Sequence, residues 1–136
     1  MKVLFRAETI DQSFTEETES IKLINKKWYA IGDEVNIHRG YQIVEHTNCE
    51  MIECDYDTRA IHFEDMIDSE TNLIFASLSE DGKGGDEINL TTVYQSGEIK
   101  TAMYFELGWW LRKEDGRKEY LIPDMLKEMK VTGIQE

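Results

Sequence analysis

Two imidazoles and two thiols, from His46, Cys49, Cys54 and His62, fall within one stretch of the chain and are ligand types that zinc prefers. Their spacing argues against a shared ion. Paired cysteines in structural zinc sites are usually separated by about two to four residues around a knuckle. Here the residues between Cys49 and Cys54 read as a strand, which turns the two thiols to opposite faces. Asp55 and Asp57 open like a calcium loop, but Arg59 and Ala60 stand where that loop needs an oxygen ligand and a glycine. Gly82-Lys83-Gly84-Gly85 lacks the spacing of a phosphate-cradling loop and the helix that should follow it, so it reads as a turn. No G-x-S-x-G is present. A cysteine nucleophile would need Cys49 or Cys54 beside His38, His46 or His62, which the sequence does not place together. With 28 acidic residues, carboxylate pairs such as Glu64 with Asp65, or Asp55 with Asp57, arise by abundance and mark no acid–base site. The expectation is a protein without catalytic, metal-binding or cofactor-binding residues and not an enzyme, the alternative being a small enzyme with an unrecognised carboxylate or thiol site.

Groups suited to binding are more evident. Trp109 and Trp110 are adjacent, so in a strand one faces the core and the other faces out. An outward tryptophan beside Tyr104 or Tyr120 would anchor a protein partner, because such rings bury much area at little entropic cost. Equally, that ring could pack beneath the N-terminal half, and Trp28 with Tyr29 presents the same pair of readings. A second candidate surface is acidic. The net charge is −13, and residues 45–70 carry −8 of it, from nine carboxylates against Arg59. Such a surface repels phosphate backbones, so direct nucleic-acid binding is not expected. The stretch, with Glu50, Glu53, Asp55 and Asp57 at its centre, reads either as a solvated face or as a mimic of nucleic acid that fills a basic groove. Arg112, Lys113, Arg117 and Lys118 cluster around one hairpin tip and read as a solvated turn.

The elements that must position these groups have the period of strands. Ile99, Thr101, Met103, Phe105 and Leu107 alternate with Lys100, Ala102, Tyr104 and Glu106. Gln95-Ser96-Gly97 joins this strand to residues 90–94 as a hairpin, and Gly108 provides a bend into Trp109, Trp110 and Leu111. Glu114-Asp115-Gly116 turns the chain toward Tyr120. Pro123 is suited to the first turn of a helix ending near Met129, with Ile122, Met125, Leu126 and Met129 on one face. In the N-terminal half, Val3 to Ala7 reads as a strand. Ile21 to Ile24 with Trp28 to Ile31 reads as a hairpin, and Tyr41 to Glu45 with Glu50 to Tyr56 as another. Ser13 and Glu16 have capping-box spacing, so a helix from Phe14 to Lys27 competes with the first of these. The fold class expected is mainly β, α+β at most: an antiparallel meander with a small Src-homology-like barrel in the C-terminal half and one short helix near 122–129. The pattern changes near Glu70, dividing an N-terminal acidic half (1–70) from a C-terminal half (71–136) without a flexible linker.

A run over residues 67–88 gives an acidic turn, an apolar strand from Leu73 to Leu78, a glycine-rich turn and Gly85-Asp86 before the next strand. With the opening Val3-Leu4-Phe5-Arg6-Ala7 and the closing Val131-Thr132-Gly133-Ile134-Gln135-Glu136, this order resembles the YopX family of bacteriophage and prophage proteins. Their pattern has an "IKFRA" start, a strand ending in "FTGL", a "DKNG" turn, "GD" before a strand and a "VIGNIYE"-like end. Ala76-Ser77-Leu78 departs from "TGL", and between the anchors no residues match. The resemblance implies a phage- or prophage-derived accessory protein whose partner is a host or phage protein, and it carries no catalytic signature. No signal peptide or apolar span is visible, and two cysteines suit a reducing compartment, so the expected location is the host cytoplasm, away from membranes.

Overall fold

A computed structural model of the protein describes residues 3–45, 50–90 and 99–136. The chain is mainly β. The strands are β1 (Val3–Glu8), β2 (Ile21–Ile24), β3 (Lys27–Gly32), β4 (Glu34–Asn36), β5 (Gln42–Glu45), β6 (Glu50–Glu53) and β7 (Ala60–Phe63). They continue as β8 (Ala76–Ser77), β9 (Asp86–Leu90), β10 (Ile99–Phe105), β11 (Gly108–Arg112), β12 (Lys118–Tyr120) and β13 (Met129–Ile134), with 3-10 helices at Tyr56–Thr58 and Pro123–Glu128. Ten of these strands form one curled sheet in the order β12-β11-β10-β8-β7-β1-β3-β2, with β9 also on β10 and β13 on β9. β4, β5 and β6 form a separate three-stranded sheet.

The C-terminal strands thus run β13-β9-β10-β11-β12, all antiparallel, with the second 3-10 helix between β12 and β13. The sheet does not stop at residue 70. β7 pairs with β8, and β8 meets β10 in parallel at Ser77 and Met103, so the N-terminal strands are continuous with this meander. One apolar cluster, including Ile74, Ile88, Ala102, Leu111, Leu121 and Met129, fills the curl. A second, including Ala7, Ile21, Trp28, Ala30, Ile43 and Ile52, lies between β1, β3 and β2 and the smaller sheet.

Several local expectations change. Residues 14–20 have no helix, and Ser13 is held by the side chain of Asp11, whose Oδ1 accepts from the Ser13 amide at 2.9 Å. Asn25 and Lys26 make a two-residue turn with φ of 51° and 66°, which commits the flanking residues to a hairpin. The strand after Glu50 stops at Glu53, because Asp55 caps the following 3-10 turn. Leu73 to Leu78 is not a continuous strand. The Ile74 amide donates to the Met66 carbonyl at 2.9 Å and the Phe75 amide to the Asp86 carboxylate at 2.8 Å, so a loop and a side chain take the place of a neighbouring strand. β10 ends at Phe105, and Leu107 lies in a turn. Ile122 is exposed, while Met125 and Leu126 face the core. The hairpin loop expected at Gln95-Ser96-Gly97 and residues 91–94 of the strand before it lie outside the described residues.

The halves are tied by charge. Arg6 and Ala7 are successive residues of β1, so their side chains leave opposite faces of the sheet. Ala7 joins the N-terminal cluster, and Arg6 points to the C-terminal half, where its Nη2 donates to Asp86 Oδ1 at 2.8 Å and to the Gly84 carbonyl at 2.9 Å. Its guanidinium lies 4.6 Å from the centre of the Phe75 ring. Asp86 Oδ2 accepts from the Phe75 amide while the Asp86 amide donates to the Phe75 carbonyl, so this one residue makes two rungs. Burial pushes the Asp86 carboxyl up, and the Arg6 charge and the Phe75 amide act against it. Gly84 has φ of 83° and presses against the Thr58 backbone, where a β-carbon would collide. A second buried carboxylate, Asp68, accepts from the amides of Glu70, Asn72 and Val131 and from Asn72 Nδ2, at 2.8–3.1 Å, and so fastens the turn after β7 to β13.

Two predictions follow from these carboxylates. Asp86→Asn or Arg6→Leu alone leaves an uncompensated buried partner and should cost about 3–5 kcal/mol in urea unfolding, while the double change Arg6→Leu with Asp86→Leu should cost less than the sum. For Asp68, burial raises its pKa, but its four hydrogen bonds together outweigh that and hold it below the ordinary value. Its folded-state pKa is lowered, so its contribution is present above the unfolded value near about 4 and is lost as pH falls through the lower folded value. Asp68→Asn should lower stability by about 1.5–3 kcal/mol at pH 6, with the difference from the parent shrinking below pH 4 in denaturation measured across that range.

Candidate functional site

Strand alternation and register assign the tryptophans to different faces. On one face of the β10–β12 sheet, Ala102 pairs with Leu111 and Tyr104 with Trp109, and Leu111 stands opposite Glu119. This face covers the core: Ala102 and Leu111 are fully buried, and Trp109 and Tyr104 pack against them half-buried. Lys100 is buried on the same face and pairs with Glu119. On the opposite face, Met103, Trp110 and Tyr120 form one row and Thr101, Arg112 and Lys118 the next. Here Trp110 and Tyr120 stack with ring centres 4.1 Å apart, and Tyr120 is 67% exposed. Lys118 Nζ sits 4.5 Å from the centre of the exposed Phe105 ring. Trp110 Nε1 donates to the Phe105 carbonyl at 3.1 Å, which holds the indole against the end of the hairpin.

That end has an unusual turn. Glu106 and Leu107 have φ of 48° and 61° and connect Phe105 directly to Gly108, the geometry of a two-residue hairpin turn that ordinarily uses asparagine and glycine. A leucine there is strained, because its β-carbon crowds the backbone at positive φ. Its side chain is 91% exposed, so no packing in the chain offsets the cost. Leu107 was legible in the sequence only as a strand residue. The clue available was the glycine at 108, which stands just after the turn and not inside it.

The acidic candidates are dispersed in role. Glu50 and Glu53 are exposed on β6, beside the exposed Met51, and Asp57 is exposed in the first 3-10 turn. Asp55 is half-buried and its Oδ1 accepts from the Asp57 amide at 3.0 Å, so this carboxylate is occupied by capping. The stretch also contains buried carboxylate and imidazole groups with structural partners. Asp68 has been described, and His62 Nδ1 lies 3.0 Å from the Ile74 carbonyl, which assigns the proton to that nitrogen, with its ring against Phe75.

Of the metal-type ligands, His46 and Cys49 lie outside the described residues. Cys54 is buried in the N-terminal cluster, with its Sγ directed at the Ile52 carbonyl. Among the described residues, no group of three His, Cys, Asp or Glu is disposed to hold a metal ion. None of the helices described is long and apolar enough to cross a membrane. An open cleft of about 710 Å³ with a mixed polar and apolar lining lies between the outer face of β10 and the loop from Leu78 to Lys83, with Arg59 and Asp57 on its wall. Arg59 is stacked 3.7 Å from the centre of the Tyr56 ring and donates from Nε to the Tyr56 carbonyl, so its orientation is set by its own turn.

Comparison of the chain with protein-family models, with curated proteins and with solved structures gives no match. The geometry alone therefore carries the functional reading. Burial pushes the Cys54 thiol up to about 12. In a Cys49→Ser variant, Cys54 should resist alkylation at pH 8 in the folded protein and react fully in urea; equal rates in both would show that the thiol is accessible.

Proposed function

We propose that this protein is a non-enzymatic binding module, YopX-like and of phage or prophage origin, that acts in the host cytoplasm by holding a host or phage protein against the outer face of β11 and β12 and the Phe105 end of β10. The observation that carries this reading is Leu107, presented to solvent at the second position of a two-residue hairpin turn whose positive φ ordinarily favours asparagine or glycine. Backbone strain of this kind concentrates at sites where a side chain must be held in a fixed place. On the outer face of the same hairpin, the Trp110–Tyr120 stack and Phe105 give an aromatic surface of the type that anchors protein contacts. Arg112 and Lys118 lie in the adjoining row, so the surface complements a partner segment with apolar side chains flanked by carboxylates.

The exposure of Glu50, Glu53 and Asp57 supports a second reading, in which those carboxylates imitate nucleic acid and occupy a basic groove. Salt separates the two. Affinity capture from host lysate should yield a partner that survives high-salt washing and is lost with Leu107→Gly or Trp110→Ala, in variants whose melting shows an intact fold. A partner released by salt and by charge reversal at Glu50, Glu53 and Asp57, and indifferent to Trp110→Ala, would instead establish the acidic surface.

A further inference from the structure

The inner side of the same hairpin carries an open pocket of about 280 Å³, which shares only Leu107 with the surface proposed above and does not rest on that reading. Three aromatic side chains line it: Phe63 from β7, Tyr104 from β10 and Trp109 from β11. Their ring centres are 5.2 Å apart for Phe63 and Tyr104, 5.4 Å for Phe63 and Trp109, and 5.7 Å for Tyr104 and Trp109. The planes are inclined to one another by 51°, 70° and 69°, so the rings pack together tilted or edge to face, and all three line the pocket. Met66 and Leu121, both buried, also line the pocket, and Leu107 stands at its edge. The remaining lining residue is Asp65, an exposed residue of the turn after β7, and no lysine or arginine lines the pocket.

We infer that this pocket binds a trimethylammonium group. An aromatic ring presents a negative quadrupole over its face, and several rings disposed around one volume attract a cation there. The pocket is mostly apolar, which favours a methylated ammonium over a bare one. A primary ammonium would forfeit hydrogen bonds to water on entry, whereas a trimethylammonium has no N–H to satisfy and brings methyl surface to bury. Asp65 adds the single opposite charge needed at the mouth. A purely hydrocarbon side chain would fit the same walls but would leave the carboxylate without a role. The group is common to free choline-type head groups and to trimethylated lysine in a peptide, and the rings contact only that shared end.

The test uses the intact protein labelled with ¹⁵N and follows the Trp109 indole signal, assigned by comparison with Trp109→Phe, at matched ionic strength. The probes are choline, its neutral carbon isostere 3,3-dimethylbutan-1-ol, and acetylated, amidated trimethyllysine. A saturable shift of that signal is expected, with choline or the trimethyllysine amide binding roughly tenfold more tightly than the neutral isostere. Stronger binding of the amide identifies the peptide-borne group, and stronger binding of choline the free head group. Asp65→Asn, an exposed change whose melting temperature should match the parent, should reduce the advantage of the cation by several-fold. Equal binding of cation and isostere would make the pocket a plain apolar cleft and overturn the proposal, as would an absence of saturable binding by either cation.

Discussion

The ion pair between Arg6 and Asp86 is the constraint around which the rest is arranged. A guanidinium and a carboxylate withdrawn from water are tolerable only when their geometry and remaining hydrogen bonds are supplied by the surroundings. Here those surroundings come from separate parts of the chain and satisfy the pair except at Arg6 Nε, which is buried without a hydrogen-bond partner among the described residues. Gly84 provides a carbonyl, Phe75 an amide and a ring face, and β1 the direction from which Arg6 enters. Several features that look independent follow from this requirement. Gly84 must be glycine because the loop is pinned between Arg6 and Thr58. Residues 73–78 forgo a long strand because the Asp86 side chain occupies the place of a ladder partner. The two apolar clusters remain separate because β1 offers one face to each, with the charge pair facing the C-terminal side.

The outer and inner faces of β10–β12 show how a strand period distributes chemistry. Adjacent tryptophans cannot share a face, so one indole contributes to the core side and the other is left on the surface. Neither location needed a special loop. The turn between β10 and β11 places two non-glycine residues at positive φ, and it coincides with the most exposed large apolar side chain described. That coincidence of strain and exposure marks the end of the hairpin, while the inner pocket owes its character to Phe63, which arrives from a strand in the other half.

Strands with clear alternation or tight turns were legible from residue order: β1, the β2–β3 and β5–β6 hairpins, and the meander of β10 to β12. The helix near 122–129 was legible from Pro123 and the apolar residues after it, although it is 3-10 and not α. β7 was not, because Ala60, Ile61 and His62 are all buried and give no period of two. β4 is three residues long and carries too little pattern to stand out from its neighbours. The tryptophan pair was visible as a pair, and which member faced outward depended on which side of β10 the core occupied. There Lys100 misleads, since a buried lysine paired with Glu119 sits on the core face while the more apolar-looking Ile99 and Phe105 are exposed. The Arg6–Asp86 contact and the ring cluster at Phe63 join residues distant in sequence, and no local signal announces such meetings.

The placement of Arg6 has a consequence in time as well as in space. β1 leaves the ribosome before its sheet neighbours β3 and β7, and the carboxylate that neutralises its inner face is eighty positions behind it. During synthesis the nascent N-terminal strands therefore carry a cation on a surface destined for the interior, and closing that surface early would bury it unpaired. Domains of this size dominated by long-range pairings fold slowly in any case. The charge adds an ordering constraint: Arg6 has its carboxylate partner only once Asp86 has been made.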